Sequence, residues 1–482
     1  MEKYEKNRIL FRRGELVKSV LLGLLVVSLI ALVAVYISGT KVYEAATAGD
    51  GIGKSFDKLW SALGGVEPKG LDSERLLPEF IGYKQTVNKE PLGCVADSQA
   101  GAELYGIIKP CLIELFGSSS VCRALTPAAG ERQFNLAAEG EEFVYLRYHE
   151  PVLYQMIYAY AAEKLTVSQS DVAVGTDGNV GAYISELIIV PDKDFAAHRF
   201  VAYAHDGEGN YYEFRPGDHV VSSEFYISKL ADRGTSSVNG FRFSKEYGFD
   251  LAVPLIDCEL ETDVVVSESV DARDGAVRDD LLRLFGYNPD KLDGFADEAE
   301  GAYVYIDSHS RLKLGDGVIS FLTSDAYDTG KDNVRGIRVD TLLGYSIDGT
   351  PTLFDKLTAA DNLIARLGDI SSELTGGEAQ LCLGDVYSDG AFLVIEYILT
   401  YDNIRIGDEA YIRAVLTEDA VSQLEMHPAS VKITAGTSLV PAPDYVLEKL
   451  VLVNGELVAE SIGDTYLRYV GGKAQWAARL AG

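Results

Sequence analysis

Cysteine is scarce in this sequence. Cys94, Cys111, Cys122, Cys258 and Cys382 are the five cysteines in 482 residues, and no C-x-x-C pair occurs. A structural zinc site and a thioredoxin-like motif therefore have no support. A chain of this length buries sizeable cores and does not need a disulfide framework. Cys94, Cys111 and Cys122 are close enough in sequence for one bridge, but we expect most of the thiols to be buried as small apolar groups.

Basic residues are also few. The sequence has 43 Lys and Arg against 73 Asp and Glu, which gives a net charge of −30. Phosphate binding requires clustered Lys and Arg, so this balance excludes nucleic acid as an expected partner. We interpret the acidic excess mainly as a source of solubility.

Signatures of catalysis and of metal binding are missing. G-x-S-x-G and H-E-x-x-H do not occur, and S-x-x-K occurs at Ser38, Ser55 and Ser310 without the S-D-N and K-T-G strings that accompany it in penicillin-binding enzymes. Most of the histidines, namely His149, His198, His205 and His219, fall on predicted strands and turns. We expect them to be ordinary surface or packed side chains, and we predict no catalytic residue, no metal site and no cofactor.

Two loops match ligand-binding motifs only in part. Residues 206–210, DGEGN, begin like a calcium loop, but Tyr211 and Gly217 stand where the EF-hand pattern requires Gly and Glu. We predict a hairpin turn there. Residues 48–55, AGDGIGKS, lack the first Gly of a phosphate-binding loop and follow no predicted strand, so we predict a stalk.

Long apolar runs are absent except for one. Ser19–Ser38 is a run of twenty residues without a charge, and nothing similar recurs. At about 1.5 Å per residue, a helix of this length crosses the roughly 30 Å core of a bilayer. We predict one transmembrane helix at 19–38. A cleaved signal peptide is the alternative, because an A-x-A triplet follows at Ala46–Ala48, but the run is longer than a signal core.

The charges that flank this run predict its orientation. Residues 1–18 contain six basic and three acidic residues. An excess of Lys and Arg next to a membrane segment stays in the cytoplasm. We therefore expect a cytoplasmic N-terminus, a single pass through the cell membrane, and an extracytoplasmic body with a charge of −33.

Small residues lie on one side of the predicted membrane helix. Ser19, Gly23, Ala34 and Ala31 fall at about 0°, 40°, 60° and 120° around the helix axis. Small residues allow a partner helix to approach closely, and Ser19 and Gly23 form a small-xxx-small pair. The face formed by Ser19, Gly23, Ala31 and Ala34 is a candidate partner-binding surface, although Ala and Gly are also common in anchors that pack against nothing.

Composition and turn signals divide the body into an α+β arrangement of several domains. We predict a stalk and helical membrane-proximal region at 39–140 and a β-rich domain with one helix at 141–270. An α+β unit at 271–345 and an α+β C-terminal domain at 346–482 follow. A helix that precedes a run of strands is typical of antiparallel sheets that are each covered by helices.

Local patterns refine this division. Pro110 predicts two short helices within 100–122, and Pro151 suits the first turn of a helix over 152–165. Asx-Gly pairs predict hairpin turns at Asp177–Gly178, Asp206–Gly207, Asn239–Gly240, Asp316–Gly317 and Asp389–Gly390.

One further helix has clear signals at both ends. Apolar residues recur from Leu353 to Leu367 on one helical face, with Thr352 as the N-cap and Gly368 as the stop.

Four segments of the C-terminal half together match a known pattern. The segment 284–321 leads from a predicted helix into a strand pair, and LTAADNLIARLG at 357–368 follows as a helix. FLVIEYILTYDNIRI at 392–406 is the next part of the predicted sheet, and 447–476 is a closing segment that ends near a Trp, here Trp476. In this order the segments resemble the YycH/YycI family, whose members regulate the Yyc (Wal) sensor histidine kinase of Gram-positive bacteria.

This resemblance implies a regulator without catalytic activity. Members of the family associate with a paralogous regulator and with the kinase, through both the anchor and the outer body. Two alternatives from other classes stay open: a membrane-tethered cell-wall enzyme or glycan-binding module, and a structural scaffold of the envelope.

Overall fold

The computed structural model describes residues 71, 73–86, 90–95, 99–118, 120–163, 174–175, 182–192, 199–217, 239–243, 254–256, 260–290, 294–306, 310–323, 336–347, 349–407, 409–441 and 462–480. These residues belong to one compact unit that extends from Lys69 to Gly482. The predicted anchor at 19–38 lies outside the described residues. Within the described ranges, no helix is both long enough and apolar enough to cross a membrane.

Helices are fewer than strands in the described part of the chain. The helical segments are η1 (Ser73–Leu76), α1 (Gln99–Phe116), α2 (Pro127–Ala138), α3 (Tyr154–Ala162), α4 (Gly275–Leu284), α5 (Val339–Leu343), α6 (Leu353–Ile370) and η2 (Ser372–Thr375).

A ten-stranded sheet forms the first half of the unit. Its strands are β1 (Phe80–Lys84), β2 (Leu92–Val95), β3 (Val121–Leu125), β4 (Phe143–Leu153), β5 (Val174–Gly175), β6 (Tyr183–Pro191), β7 (Phe200–His205), β8 (Tyr211–Arg215), β9 (Asn239–Phe243) and β10 (Pro254–Ile256). Their spatial order is β10-β9-β2-β1-β4-β6-β7-β8-β3-β5. Every pair is antiparallel except β3 with β5.

A twelve-stranded sheet forms the second half. Its strands are β12 (Phe295–Asp297), β13 (Ala302–Ile306), β14 (Ser310–Gly315), β15 (Val318–Thr323), β16 (Ile337–Arg338), β17 (Gln380–Asp389), β18 (Phe392–Tyr401), β19 (Ile404–Ile406), β20 (Ile412–Leu416), β21 (Ala420–Met426), β23 (Ile462–Val470) and β24 (Lys473–Leu480). A separate antiparallel ribbon pairs β11 (Leu260–Ser269) with β22 (Ala429–Val440). The predicted α+β fold built on antiparallel sheets is confirmed at this level.

Helices cover both faces of the first sheet. Tyr211 and Phe214 are three residues apart on β8, so their side chains point to opposite faces. Phe116 of α1 meets Phe214 edge to face with the ring centroids 4.9 Å apart. On the other face α2 packs so closely that a Cβ added to Gly130 would lie 2.1 Å from the Cβ of Tyr211. Only glycine at this position allows that approach.

The first sheet crosses the predicted division between residues 140 and 141. β1 pairs with β4 along its whole length, from Phe80 opposite Arg147 to Lys84 opposite Phe143. β1 is buried on both faces, so its residues FIGYK show no alternation of apolar and polar side chains. The second sheet likewise joins residues on both sides of 345, because β15 pairs with β21.

Two helix predictions at prolines are wrong. α1 is a single helix with Pro110 inside it, and the buried Ile108 and Leu112 on either side of the proline hold it in the core. α3 begins at Tyr154, because Pro151 lies within β4. The register between β4 and β6 shifts between Arg147 and Val152, and such an irregularity accommodates a residue without an N–H.

Most of the predicted hairpin turns within the described ranges are confirmed. Gly207, Gly317 and Gly390 all have positive φ angles and lie between adjacent paired strands. The turn predicted at Asn239–Gly240 is wrong, because both residues belong to β9 and pair with β2. Asp177–Gly178 lies outside the described residues.

The N-terminal end of α6 is as predicted, and its C-terminal end is not. Thr352 accepts a hydrogen bond from the backbone N–H of Asp355, and Asp355 accepts one from the N–H of Thr352, which is a capping box. The helix continues through Gly368 to Ile370 and is capped at Ser371. A glycine inside a helix costs about 1 kcal/mol, which packing of the buried helix face outweighs.

The cysteines with described positions are buried and unbridged. Cys94, Cys111, Cys122 and Cys382 are not joined by disulfide bonds. The prediction that most cysteines are buried is confirmed for these four, and the bridge allowed among the first three does not form. Cys258 lies outside the described residues.

Candidate functional site

The histidines in the described part of the chain do not converge on a metal site. In the described ranges, no group of His, Cys, Asp and Glu is arranged to hold a metal ion. His149 lies on β4 and His205 ends β7, whereas His198 and His219 lie outside the described residues. Ser310 and Lys313 lie on β14, where a spacing of three places their side chains on opposite faces.

His205 belongs to a buried polar group on one face of the first sheet. Glu186 and His205 are paired residues of β6 and β7, with 3.4 Å between Glu186 Oε2 and His205 Nε2. Tyr145 donates a hydrogen bond of 2.7 Å to the same Oε2. The Nδ1 atom of His205 accepts from the backbone N–H of Gly207 at 3.1 Å. A neutral imidazole with its proton on Nε2 satisfies both contacts.

This group resembles a general acid–base arrangement but is closed to a substrate. Tyr145, Glu186 and His205 are each less than a tenth exposed. The ring of Phe134 packs against the imidazole at 4.8 Å between centroids. We conclude that these side chains fix strands β4, β6 and β7 to one another and to α2.

The loop after His205 uses its carboxylate internally. Asp206 Oδ1 accepts from the backbone N–H groups of Glu208 and Asn210 at 2.8 and 3.1 Å. The Asn210 side chain donates to the second oxygen of Asp206. Residues 206–210 therefore form a self-bonded hairpin turn, which confirms the prediction made for DGEGN.

A second buried polar group joins the two sheets. Asp361 of α6 accepts a hydrogen bond of 2.8 Å from Tyr397 of β18 and one of 3.1 Å from Tyr160 of α3. Arg75 of η1 places its Nε 3.8 Å from the carboxylate. We call these four residues the Asp361 cluster. Two of them come from the first half of the unit and two from the second.

The Asp361 cluster compensates the burial of a charge. The carboxylate of Asp361 is 4% exposed, and both tyrosine side chains are fully buried. Burying an unpaired carboxylate is costly, whereas two phenol donors and a guanidinium offset that cost. Burial raises the pKa of Tyr397 well above its ordinary value, and the neighbouring Asp361 carboxylate raises it further. The phenol therefore keeps its proton and donates the hydrogen bond.

Asn403 makes a second connection between the halves. Its Nδ2 donates to the carbonyl oxygens of Pro78 and Glu79 at 2.6 and 3.1 Å, and its Oδ1 lies 3.0 Å from His149 Nε2. Asn403 has a φ of 55° in the tight turn between β18 and β19. Asparagine adopts this left-handed conformation more readily than most residues.

Further polar contacts extend the same boundary. Arg405 of β19 pairs with Glu150 of β4 at 2.7 Å. Gln380 of β17 donates to the carbonyl oxygen of Glu74 at 3.1 Å. We call the boundary formed by the Asp361 cluster and by these Asn403, Arg405 and Gln380 contacts the seam. It is the part of the described chain where side chains from both sheets meet through hydrogen bonds.

Sequence reasoning missed the seam, although one signal for it exists. Asp361 and Asn362 interrupt the apolar face of α6 between Leu357 and Ile364. A polar residue on a predicted core face must find a buried partner. Asn362 donates to the carbonyl oxygen of Leu342, and Asp361 accepts from the two tyrosines. The candidate partner-binding residues of the anchor, Ser19, Gly23, Ala31 and Ala34, all lie outside the described residues.

Comparison with known proteins gives one informative likeness. No protein-family model matches the sequence, and no curated protein matches it. The crystal structure of YycH from Bacillus subtilis superposes with a TM-score of 0.52 and 12% sequence identity, covering 86% of this chain and 97% of that one. The chain has a YycH-like fold. At this identity the likeness to YycH establishes the fold, and the resemblance to YycI stays a prediction.

Proposed function

We propose that this protein is a membrane-anchored accessory regulator that binds a sensor histidine kinase of a two-component system and biases its signalling state in cell-wall homeostasis. The observation that carries the proposal is the YycH-like fold, which covers 86% of the chain. The resemblance of residues 284–321 and 357–406 to the YycH/YycI family supports it from the sequence.

The seam supports a role in binding rather than in flexible tethering. Hydrogen bonds from Tyr160 and Asn403 connect the two sheets through buried groups. A body whose halves are joined in this way presents one surface to a partner. A bound protein shifts a two-state sensor only by its difference in affinity for the two states, so a fixed surface is the physical requirement.

The predicted anchor supplies the second contact of the proposal. On the predicted topology residues 19–38 lie beside the membrane helices of a kinase or of a paralogous regulator. The face of Ser19, Gly23, Ala31 and Ala34 would allow close helix packing there. Co-purification of the full chain from membranes with the kinase and the paralogous regulator tests both contacts.

The paired variant Ser19→Leu/Gly23→Leu fills the small-residue face. Its matched control is Ser28→Leu, which changes a small residue at about 180° from Ser19 on the helix. We expect the amount of kinase and paralogous regulator that co-purifies with the paired variant to fall about tenfold, which is equivalent to about 1.4 kcal/mol. The control should recover the same amount as the unaltered chain. Equal recovery of both variants would remove the anchor face from the proposal, and failure of the unaltered chain to retain a kinase would remove the regulator function.

Absence of catalytic activity is also part of the proposal. Incubation of the protein with purified peptidoglycan, followed by chromatography of soluble fragments, tests it. Release of fragments by the protein would favour the alternative of a membrane-tethered wall enzyme.

A further inference from the structure

A further group of carboxylates and phenols lies where the ribbon of β11 and β22 meets the second sheet. Asp263 of β11 lies at the point where the register between the two ribbon strands shifts, and such irregularities change the direction of a side chain. Tyr401 of β18 donates a hydrogen bond of 2.9 Å to Asp263 Oδ2. One carboxylate therefore connects the ribbon to the sheet.

Tyr469 of β23 belongs to the same group. β19 lies between β18 and β23, and the register across these strands places Tyr401 and Tyr469 on one face of the sheet. Their ring centroids are 6.2 Å apart, and the angle between the ring planes is 62°. Asp402 follows Tyr401 in the turn that leads to β19. We call Asp263, Tyr401, Asp402 and Tyr469 the Asp263 group.

The hydroxyl of Tyr469 is buried and has no hydrogen-bond partner in the described part of the chain. The residue is 4% exposed, and its oxygen is inaccessible to solvent. Buried hydroxyl groups are nearly always paired, because the water that they lose on folding must be replaced. An unpaired phenol in this position indicates a polar group that the described chain does not supply.

The charge around this phenol is negative. Burial raises the pKa of Tyr469, and the carboxylates of Asp402 and Asp263 raise it further. Asp263 forms no ion pair with a residue of the described ranges, and its described hydrogen bond is the one from Tyr401. A carboxylate and an unpaired phenol oxygen therefore lie together in a partly buried place that favours a cation.

We propose that the Asp263 group binds a primary ammonium group. The ammonium donates one hydrogen bond to Asp263 Oδ1, since Tyr401 occupies Oδ2, and another to the hydroxyl oxygen of Tyr469. The rings of Tyr401 and Tyr469 attract the same cation through their faces. A metal ion fits less well, because no group of three or more His, Cys, Asp and Glu in the described ranges is arranged to hold one.

The Asp263 group reaches the protein surface. Asp402 is exposed, and Asp263 and Tyr401 are half-buried, so an ammonium on a narrow alkyl chain can approach from this side. Such a group is carried by a small free amine or by the lysine side chain of a partner protein. Both sources present the same chemistry to the site. The inference does not depend on the proposed kinase partner, because it concerns the isolated chain.

Isothermal titration calorimetry of the full chain in detergent at neutral pH tests the proposal with n-butylamine. We expect binding with a Kd of about 1–10 mM, which suits a ligand of so few atoms. Two probes isolate the chemistry: n-butanol lacks the charge, and tetramethylammonium lacks the N–H donors. Each should bind at least about tenfold more weakly. A blocked glycine–lysine–glycine peptide that binds as well as n-butylamine would assign the site to a lysine side chain, and binding of n-butylamine without the peptide would assign it to a free amine.

Two variants with matched controls locate the binding. Asp263→Asn keeps an acceptor for Tyr401 and removes the charge, so n-butylamine binding should weaken at least about tenfold. Glu261→Gln, at an exposed position of the same strand, loses the same charge and should bind normally.

Tyr469→Phe removes the unpaired hydroxyl and should weaken n-butylamine about threefold to tenfold without lowering the thermal stability of the unliganded chain. Its control is Tyr148→Phe, which removes another buried hydroxyl that lacks a hydrogen bond, on β4 of the first sheet. This control should bind normally.

Several results would overturn the proposal. They are no binding of n-butylamine at about 50 mM, equal binding of n-butanol or tetramethylammonium, and binding of calcium chloride without binding of n-butylamine. Unchanged n-butylamine binding by both Asp263→Asn and Tyr469→Phe would also do so, because the ligand would then occupy another place. Circular dichroism confirms that each variant is folded before titration.

Discussion

The phenol oxygen of Tyr160 lies 3.1 Å from the carboxylate of Asp361, although 201 residues separate them in sequence. Tyr160 belongs to α3, beside the first sheet, and Asp361 belongs to α6, beside the second. Tyr397 donates to the other oxygen of the same carboxylate at 2.8 Å. One buried carboxylate therefore holds a helix of one half and a strand of the other in a fixed relation.

Replacing Tyr160 by Phe tests the strength of this link. The variant lacks the phenol O–H that donates to Asp361, so one oxygen of this buried carboxylate loses that hydrogen bond. Hydrogen bonds to charged groups contribute about 1.5–3 kcal/mol, so we expect the free energy of unfolding to fall by that amount. Urea denaturation followed by circular dichroism measures the change.

Tyr397→Phe and the double variant complete a cycle around Asp361. Because both phenols bind one carboxylate, we expect their effects to be non-additive by at least about 0.5 kcal/mol. Additive effects, or a loss below about 0.5 kcal/mol for either single variant, would contradict a shared buried network.

Asn403 and its neighbour form a second matched pair. Asp402 and Asn403 both have left-handed φ angles, of 48° and 55°, but only Asn403 is buried against Pro78 and Glu79. We expect Asn403→Gly to reduce the free energy of unfolding by about 1–3 kcal/mol, because the carbonyl oxygens lose their donor. Asp402→Gly should cost nothing or stabilise by up to about 1 kcal/mol, since glycine adopts this conformation without strain. Thermal denaturation of both variants measures the difference, and equal losses would show that the hydrogen bonds of the Asn403 amide make no specific contribution to stability.

The capping box of α6 gives a third prediction. Thr352→Ala removes the acceptor for the N–H of Asp355 and should cost about 1–2 kcal/mol. Thr352→Ser keeps a hydroxyl oxygen and should change the free energy of unfolding by less than about 0.5 kcal/mol. Denaturant unfolding of the two variants under one condition makes the comparison. A loss with Ser as large as that with Ala would mean that the methyl group, rather than the cap, stabilises the helix.

The raised pKa of Asp385 predicts that the free energy of unfolding depends on pH. Burial raises the pKa of this carboxyl above its ordinary value of 3.8, and the nearby Glu150 and Glu396 raise it further, against an opposing hydrogen bond from the Val386 backbone. The folded state therefore binds the proton more tightly than the unfolded state. The resulting stabilisation is complete below pH 3.8 and is lost as the pH rises through the raised pKa.

Asp385→Asn tests this sign. The amide keeps an acceptor for the Val386 N–H and carries no charge, so we expect the variant to gain stability relative to the parent at neutral pH, within about 1 kcal/mol. The advantage should vanish in acid. Urea unfolding of both proteins at a series of pH values measures it. An advantage that is constant across pH, or that grows in acid, would contradict the assignment.

Local sequence signals predicted the turns and the start of α6 because their energies are local. Asp206–Gly207 and Asp389–Gly390 supply residues that tolerate positive φ, and Thr352 supplies its cap within four residues of chain. These preferences do not depend on the rest of the fold. The same rules failed at Pro110 and Pro151, where burial of the surrounding core and an irregular strand pair overcame the preference of proline.

The sequence by itself determined the α+β class, the hairpin turns that the structure contains, the buried cysteines and the resemblance that led to a YycH-like fold. Tertiary structure alone decided which strands share a sheet and which side chains donate hydrogen bonds to Asp361. Strand pairing joins β1 to β4, and the seam joins residues 201 apart, so neither is visible in a local window. An aspartate on an apolar helix face signals that a buried partner exists, and only the packed chain identifies it as Tyr160 and Tyr397.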